Sequence, residues 1–322
     1  MKTKYFNNWI SSLRYRFSKF GLNKYSVLSS LEDKPDNWLI EHGNFQKTNY
    51  KGLGEKVAVL DTGVDPNHKE IKNKILSMCF IDGCVDPFDY SNHGTFVVGE
   101  IISNKLGIAP ESQCLSAKVL YGDGRDSDLH KFEKGVYKAI NYAINNSYGV
   151  ISMSFGSPHK SQLLNEALSK AVNKGIIPIA AAGNEGLKGS PYKSYPASFE
   201  NCISVASANE YDLPSWYSTA GSGKEILEQP EVAIASKNFH YGILTYNKYG
   251  KMTGTSISCP IVAGLALLWR QKRKQENNFP KGKQVLQEFR KWLYKNSHDT
   301  NNNGWDNELG FGVLKLKPWE SL

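Results

Sequence analysis

Long apolar runs are missing from this chain. No stretch of about 18 or more consecutive apolar residues occurs in its 322 residues, so we expect no transmembrane helix. The first 30 residues carry basic side chains but no apolar segment followed by a small-residue cleavage site, which argues against a secretory signal. We therefore predict a cytoplasmic protein, with export by a route that needs no signal peptide as the alternative.

Cysteine is scarce, and its spacing is irregular. An odd number of cysteines without a Cys-x-x-Cys pair argues against a disulfide framework and against a structural zinc site. We expect reduced thiols, in keeping with a cytoplasmic location. The five cysteines are Cys79, Cys84, Cys114, Cys202 and Cys259.

Acidic side chains are absent from the start of the chain. Residues 1–31 carry six Lys or Arg and no acid, and residues 270–295 carry nine against two Glu. Because the total net charge is +8, the rest of the chain is acidic, at −5. The simplest interpretation is solvated surface. The alternatives are attraction of the basic N-terminal segment to a membrane surface and of the acidic body to a basic substrate. The basic run at 270–274 is not interleaved with aromatic residues, so we expect no nucleic-acid partner.

After Gly54 the chain alternates β-branched runs with helical patterns. Apolar residues recur at helical spacing over 129–144 and 164–172, and Gly175 closes the second pattern. Strands separated by helices imply right-handed crossovers, so we predict an α/β fold with a mostly parallel sheet and helices on both faces. In such sheets, functional side chains lie at the carboxyl ends of strands. The candidate strands are 56–60, 114–120, 150–154, 176–181 and 202–206.

Three short motifs place an Asp, a His and a Ser in Gly-containing turns. Asp61 ends an apolar strand in the motif Asp-Thr-Gly, His93 lies in Asn-His-Gly-Thr, and Ser256 follows Gly-Thr just before an apolar helical run. Nucleophilic acyl transfer needs a hydroxyl, a base that takes its proton and a carboxylate that orients the base. The start of a helix at Ser256 would also favour a developing oxyanion, because its N–H groups are free.

The motif at Asp61 also matches the aspartic proteases. Their mechanism needs two carboxylates that share a proton, and no second Asp-Thr-Gly or Asp-Ser-Gly occurs in the sequence. Only a homodimer could supply the second carboxylate, and the accompanying His and Ser motifs disfavour this alternative.

The order Asp, His, Ser along the chain resembles that of the subtilisin-like serine peptidases, and the likeness runs from about residue 51 to residue 316. The resemblance implies a subtilisin-like three-layer fold in which Ser256 is the nucleophile, His93 shuttles the proton and Asp61 orients His93. It also implies that the amide of Asn184, in Ala-Ala-Gly-Asn-Glu-Gly, donates to the oxyanion opposite the Ser256 N–H.

The same resemblance implies where a peptide substrate lies. The segment after the strand at 150–154 is expected to pair with the substrate main chain, and Gly156 to leave the adjoining pocket open. Acidic residues in the loop 122–128, together with Glu185, favour basic substrate side chains, although Arg125 counters them and a solvated loop is the simpler interpretation. The implied substrate-binding residues are Ser154, Phe155, Gly156, Ala182, Gly183, Glu185 and, on the far rim, Gly124.

Residues 1–35 differ from the rest in being basic and rich in aromatic side chains. We predict that they form an N-terminal extension and that 36–322 form a single subtilisin-like peptidase domain. The extension is short for an inhibitory prodomain. A packed helix, a docking helix and a brief autoinhibitory pro-segment are the three interpretations.

Many secreted members of the family insert a calcium-binding loop within the helix that follows the catalytic His. Here the corresponding residues, 101–110, contain no acid, so we expect that calcium site to be absent. We predict no metal ligands and no required cofactor.

The sequence therefore predicts a cytoplasmic serine endopeptidase whose substrates are proteins or peptides. Two roles fit it equally, namely general turnover of intracellular protein and selective maturation of a precursor or leader peptide. The alternatives are a catalytically silent peptide-binding fold and an esterase-type acyl hydrolase on the same acyl-enzyme.

Overall fold

The computed structural model describes residues 38–45, 48–122, 126, 128–186, 192–221, 229–236, 240–299 and 304–316. The N-terminal extension expected at 1–35 lies outside them. Their largest element is a nine-stranded sheet with the order β10-β11-β7-β6-β5-β4-β1-β3-β2, in which every neighbouring pair except β10 and β11 is parallel. The strands are β1 Lys56–Asp61, β2 Ile75–Cys79, β3 Gln113–Lys118, β4 Val150–Met153, β5 Ile177–Ala181, β6 Ile203–Ala208, β7 Val232–Ala235, β10 Ser297–His298 and β11 Val313–Leu314.

Helices cover the sheet on both faces. Val57 and Val59 of β1 pack in one buried cluster, whereas Ala58 and Leu60 pack in another, because successive side chains of a strand point to opposite faces. The first cluster includes residues of α2, α5 and α6, and the second includes residues of α3 and α4. The helices are α1 Trp38–His42, α2 His93–Ile102, α3 Leu129–Asn145, α4 Gln162–Asn173, α5 Thr255–Gln275 and α6 Gln284–Lys295.

A separate two-stranded hairpin leads into α5. Its strands are β8 His240–Leu244 and β9 Lys248–Met252, paired antiparallel. Tyr246 and Asn247 turn the chain between them with positive φ angles of 59° and 57°. The hairpin contacts α2 through β8, so it connects the helix that begins at His93 with the helix that begins at Thr255.

The fold prediction is confirmed: this is an α/β structure with a mostly parallel sheet and helices on both faces. All five candidate strands occur, with ends that differ by one or two residues from the patterns. Among the described residues, no helix has the length and apolar character needed to cross a membrane.

The expectation that all thiols are reduced is wrong for one pair. Cys79 and Cys84 form a disulfide, with their Cα atoms 6.1 Å apart. A tight turn after β2 brings the two together, since the N–H of Cys84 donates to the carbonyl of Ile81 and Gly83 has a φ of 80°. A rule based on the number and motif of cysteines does not detect such a local closure. The remaining three, Cys114, Cys202 and Cys259, are free and buried.

Candidate active site

The parallel sheet brings two of the motifs to one edge. β1 ends at Asp61, and β4, paired beside it with Leu60 opposite Met153, ends one residue before Ser154. Because parallel strands end at the same edge of a sheet, Asp61 and Ser154 lie next to each other at their carboxyl ends.

Asp61 and His93 form a direct hydrogen bond. His93 Nδ1 lies 2.7 Å from Asp61 Oδ1, which also accepts the N–H of Thr62 at 2.7 Å. The Asp61 side chain is 1% exposed and that of His93 14%. With Nδ1 bonded to a carboxylate, the imidazole keeps its proton on Nδ1, and Nε2 remains as an acceptor. Among the described residues, neither Nε2 nor Asp61 Oδ2 has a hydrogen-bond partner.

Burial and nearby carboxylates shift the pKa of His93 in opposite directions. Desolvation lowers its pKa, but the charge and hydrogen bond of Asp61, together with the charge of Asp89, raise the pKa above the usual value of 6.5. The carboxylates therefore stabilise the imidazolium that forms when His93 takes a proton.

Two glycines allow the Asp and His segments to touch. A Cβ on Gly94 would lie 2.1 Å from the carbonyl oxygen of Gly63, and one on Gly63 would lie 2.2 Å from that of Pro87. Gly63 also has a φ of 103°, which side chains rarely adopt. Gly94 is thus needed for contact between His93 and the Asp61 strand, rather than with the nucleophile.

Ser256 lies in the first turn of α5 and is 5% exposed. Its Oγ donates to the carbonyl of Ser154 at 3.3 Å, and Ser154 Oγ donates in return to the carbonyl of Ser256 at 3.0 Å. The hydroxyl is therefore not bonded to His93 Nε2 in this state. Such bonds are often long or unformed before substrate binds, and rotation about one side-chain bond would redirect the hydroxyl.

Thr255 holds the amide of Asn184. Asn184 Oδ1 accepts the N–H of Thr255 at 2.9 Å and its Oγ1 at 3.1 Å, so only the nitrogen end of the amide can face a ligand. Gly254 precedes with a φ of 134°, and a Cβ there would lie 3.2 Å from Asn184 Nδ2. This glycine keeps the space in front of the donor open.

The side chains of the segment that follows β4 are buried. Ser154 is fully buried and Phe155 is 2% exposed, packed edge-on against Phe132 with ring centroids 5.2 Å apart. Gly156 does not leave the adjoining space empty as expected, because a Cβ there would fall 2.0 Å from Ser194 Oγ. Ser194 thus fills the space that the absence of a side chain at Gly156 creates.

The other wall follows β5. Ala182 is buried, Gly183 has a φ of 110° and donates its N–H to Thr255 Oγ1 at 3.2 Å, and Glu185 is half-buried. A small cavity of about 10 Å³ lies between this wall and Gly156, lined by Gly156, Ser157, Gly183, Asn184, Glu185, Tyr192 and Ser194. Gly124, expected on the far rim, lies outside the described residues.

Two acids of the loop before α3 are engaged by backbone groups. The carboxylate of Asp126 accepts the N–H groups of Tyr121 and Gly122, both at 2.8 Å, and Asp128 caps α3 by accepting the N–H of Lys131. Their presence in this loop therefore has a structural explanation that needs no basic substrate.

Sequence reasoning missed the polar residues that support the site. Thr255 belonged to the Ser256 motif but was given no role of its own. Asp89 gave only a weak signal, an acid four residues before His93 in a polar loop. Besides these two, the supporting residues are Thr62, Ser91, Asn92 and Thr95.

Residues 52–312 match the model of the subtilase family. The major intracellular serine protease of Bacillus subtilis is 36% identical over 242 residues, covering 71% of this chain and 72% of that protein. Subtilisin from Bacillus pumilus is 36% identical over 71% of this chain and 81% of its own. The thermophilic serine proteinase of Bacillus sp. strain AK1 is also 36% identical, over 67% of this chain and 52% of that protein.

Proposed function

The chain belongs to the subtilase family and is a serine endopeptidase, and we propose that Ser256, His93 and Asp61 perform its chemistry. Ser256 Oγ attacks the scissile carbonyl while His93 Nε2 takes its proton, and Asp61 holds the imidazole in the tautomer that can do so. The proton on Nε2 then passes to the leaving amine, and an acyl-enzyme remains on Ser256. Water activated by His93 hydrolyses it.

Asn184 and the backbone of Ser256 stabilise the oxyanion. The Ser256 N–H is at the start of α5, where amide hydrogens are free and the helix dipole favours negative charge. Asn184 Nδ2 supplies the second donor, because its carbonyl oxygen is occupied by Thr255. Both donors are fixed before the reaction, so no reorganisation is needed as charge develops.

The observation that carries this proposal is the 2.7 Å bond between His93 Nδ1 and Asp61 Oδ1, together with an Nε2 that is buried and unpartnered among the described residues. A histidine with only a structural role would be expected to use both ring nitrogens. A base that awaits a hydroxyl has one nitrogen unused.

Labelling with a fluorophosphonate tests the proposal directly. Full-length protein and the Ser256→Ala variant are incubated with the reagent, and intact mass is followed over time. We expect one equivalent of label on the wild type and none on the variant. Stoichiometric labelling of Ser256→Ala, or none on well-folded wild type freed of residues 1–35, would contradict Ser256 as the activated nucleophile.

A second proposal concerns where the protein acts. We propose action inside the cell, on the ground that one relative is by name an intracellular protease. The Cys79–Cys84 bridge is the observation against a reducing compartment. The test is to alkylate free thiols in intact cells and then measure the mass of the peptide that carries both cysteines. Alkylated cysteines support the proposal, and a retained disulfide contradicts it.

General turnover and selective maturation differ in breadth of cleavage. We propose selective cleavage, because Ser194 takes up room beside Gly156 and narrows the adjoining cavity. Cleavage-site profiling on a proteome-derived peptide library should then yield a short consensus. A broad distribution of residues before the cut would favour turnover instead.

We further propose that basic residues near the cut are preferred, on the strength of Glu185 beside the cavity. The Glu185→Gln variant should lose discrimination between Lys and Gln before the cut by a few-fold, the modest size expected of a half-exposed charge pair. Equal discrimination in both proteins would contradict the preference.

No cofactor is proposed, since serine, histidine and aspartate side chains supply all the groups for acyl transfer. Within the described residues there is no group of three or more His, Cys, Asp or Glu side chains placed to hold a metal ion. Activity unchanged after dialysis against a chelator would agree with this proposal, and loss restored by calcium would overturn it.

A further inference from the structure

A second buried carboxylate lies beside the Asp61–His93 pair. Asp89 is fully buried, although a charged side chain is rarely buried without partners. It belongs to the loop between β2 and α2, four residues before His93. The triad chemistry assigns it no part.

Every hydrogen-bond partner of Asp89 is a donor. Oδ1 accepts Thr62 Oγ1 at 2.9 Å and both the N–H and Oγ of Ser91, at 2.9 and 3.0 Å. Oδ2 accepts the N–H and Oγ1 of Thr95, each at 2.8 Å. Each oxygen therefore holds a backbone N–H, which can only donate, and the arrangement suits an ionised carboxylate.

The two threonines that donate to Asp89 also accept hydrogen bonds from the backbone. Thr62 Oγ1 accepts the N–H of Gly94 at 2.9 Å, and Thr95 Oγ1 accepts the N–H of Asp65 at 3.1 Å. Because each hydroxyl already accepts a backbone hydrogen, its own hydrogen is directed to Asp89. Thr62 follows Asp61 and Gly94 follows His93, so one carboxylate links the neighbours of both triad members.

Asp89 also replaces the missing cap of α2. Asn92 occupies the N-cap position with a φ of 68° and makes no side-chain cap hydrogen bond. Asp89 accepts the N–H of Thr95 instead, one of the groups that a cap residue would satisfy. A negative charge at this end of α2 is favourable to the helix dipole, and His93 is the first residue of that helix.

We propose that Asp89 is a positioning residue, which fixes Asp61 and His93 relative to each other and adds negative charge near the imidazolium. It acts through Thr62 and through Ser91, whose Oγ accepts the N–H of His93 at 3.2 Å. The inference rests on the proposed triad. It differs from a purely structural role because it requires an effect of the Asp89 charge on the protonation of His93.

The charges around the pair are few. Asp61 lies at the end of β1, Asp65 in the loop that follows, and Lys118 at the end of β3, where its ammonium donates to the carbonyl of Phe88. The pKa of Asp89 is raised overall, mainly by burial and further by the charge of Asp61, while the hydrogen bonds from Thr95 and Ser91 oppose this by stabilising the carboxylate. In turn, the charge of Asp89 raises the pKa of His93.

The test is Asp89→Asn, assayed for kcat, KM and the pH dependence of kcat/KM after active-site titration. The amide places an N–H₂ group against donors that need acceptors, so we expect kcat to fall roughly 10- to 100-fold with KM within about threefold. Because a negative charge is lost, we also expect the acid limb of kcat/KM to move down by roughly 0.5 pH unit or more.

Two further variants separate charge from scaffolding. Thr62→Val breaks the link to Gly94 but keeps the Asp89 charge, so kcat should fall by up to about tenfold while the acid limb stays in place. Asp212→Asn is the matched control, since Asp212 is a part-buried carboxylate that bonds His42 and Lys315 away from the triad. It should lower the melting temperature and leave both kcat and the limb unchanged.

Folded Asp89→Asn with wild-type kcat would overturn the inference, and so would an unmoved acid limb, whatever its kcat. A drop in kcat of the same size in Asp212→Asn would overturn it as well. Should Asp89→Asn not fold, Thr62→Val decides: wild-type kcat in that variant contradicts the link. Well-folded wild-type protein freed of residues 1–35 that fluorophosphonate does not label contradicts the proposed triad itself, an outcome visible before any Asp89 variant is made.

Discussion

The half of the site that holds Asp61 and His93 is assembled, whereas the half that holds Ser256 is not. Asp61 Oδ1 and His93 Nδ1 are 2.7 Å apart, and the buried carboxylate of Asp89 lies beside the pair. Ser256 Oγ instead bonds weakly to the carbonyl of Ser154 at 3.3 Å. The base is therefore fixed by the fold, and the nucleophile needs a rotation to reach it.

The difference follows from how each half is built. The Asp and His segments are held by a buried network, and Gly63 and Gly94 let their backbones touch. In the other half, Asn184 is fixed by Thr255, but the Ser256 hydroxyl has only a carbonyl as its partner. Fixing the base and the oxyanion donor while leaving a single torsion to adjust costs little entropy on substrate binding.

Removing the nucleophile should have the largest effect. Ser256→Ala is expected to reduce kcat on the order of 10⁶-fold, the magnitude found for the same change in a subtilisin. If the two halves act as one unit, His93→Ala should cost about as much, and the double variant no more than either. Steady-state kinetics with trace-contamination controls would measure all three.

Additivity is the result that would break this expectation. Suppose that the fold loss of kcat in the double variant equals the product of the two single losses. His93 and Ser256 would then act independently, and the Ser256 hydroxyl would work without bonding to His93.

Asp61→Asn should have the next largest effect and should act through the assembled half. We expect kcat to fall roughly 10⁴-fold, since the amide favours the wrong tautomer of His93. The sign of the pH effect is fixed: catalysis needs neutral His93, Asp61 raises its pKa, and wild-type activity is lost as pH falls through that raised pKa. The acid limb should lie above pH 6.5 in the wild type and move lower in the variant. A limb that does not move would separate Asp61 from the titration of His93.

The catalytic residues of both halves were predicted from the sequence, whereas the contacts that support them were not. Asp61, His93 and Ser256 were identified from motifs, and the position of Asp61 at the edge of the sheet follows from the place where β1 ends. The end of one strand differs from the prediction for a clear reason. β3 ends at Lys118, two residues before the expected end, because the N–H groups of Val119 and Leu120 both donate to the carbonyl of Asp61. Local pattern cannot anticipate a strand that ends by turning toward another segment.

The remaining features depend on contacts between distant segments. The hairpin β8–β9 gave no clear signal, because Tyr246 adopts a positive φ that usually marks Gly, Asn or Asp. The filling of the space beside Gly156 required knowing that Ser194, 38 positions later, packs there. The Ser256 rotamer and the hydrogen bonds of Asp89 could not be predicted from the sequence either, since both depend on side-chain geometry rather than on residue type.

Asn184 offers a weaker test of the second half. Asn184→Ala should lower kcat roughly 10²- to 10³-fold with KM little changed, because the lost donor acts on the oxyanion alone. Thr255→Val removes one of the two hydrogen bonds that hold the Asn184 oxygen, and should cost only about tenfold. Equal losses in the two variants would show that fixing the amide matters as much as its presence.

The smallest effect is expected at Asn92, which joins the two halves. Asn92 Oδ1 accepts the N–H of Thr245 at 3.1 Å and its Oγ1 at 2.7 Å, and Thr245 begins the turn of the hairpin that leads to Ser256. Asn92→Gly keeps the positive φ but loses both bonds, so the free energy of unfolding should fall by about 1–3 kcal/mol. Asn92→Ala should lose about 1 kcal/mol more, because a positive φ is unfavourable for alanine.

The effect of Asn92→Gly on kcat tests whether this link also positions the nucleophile. If the hairpin only needs to be near α2, kcat in Asn92→Gly will stay within a few-fold of wild type once unfolding is corrected for. A larger loss of kcat, measured by active-site titration at a temperature where both proteins are folded, would mean that the assembled half positions the nucleophile through this link.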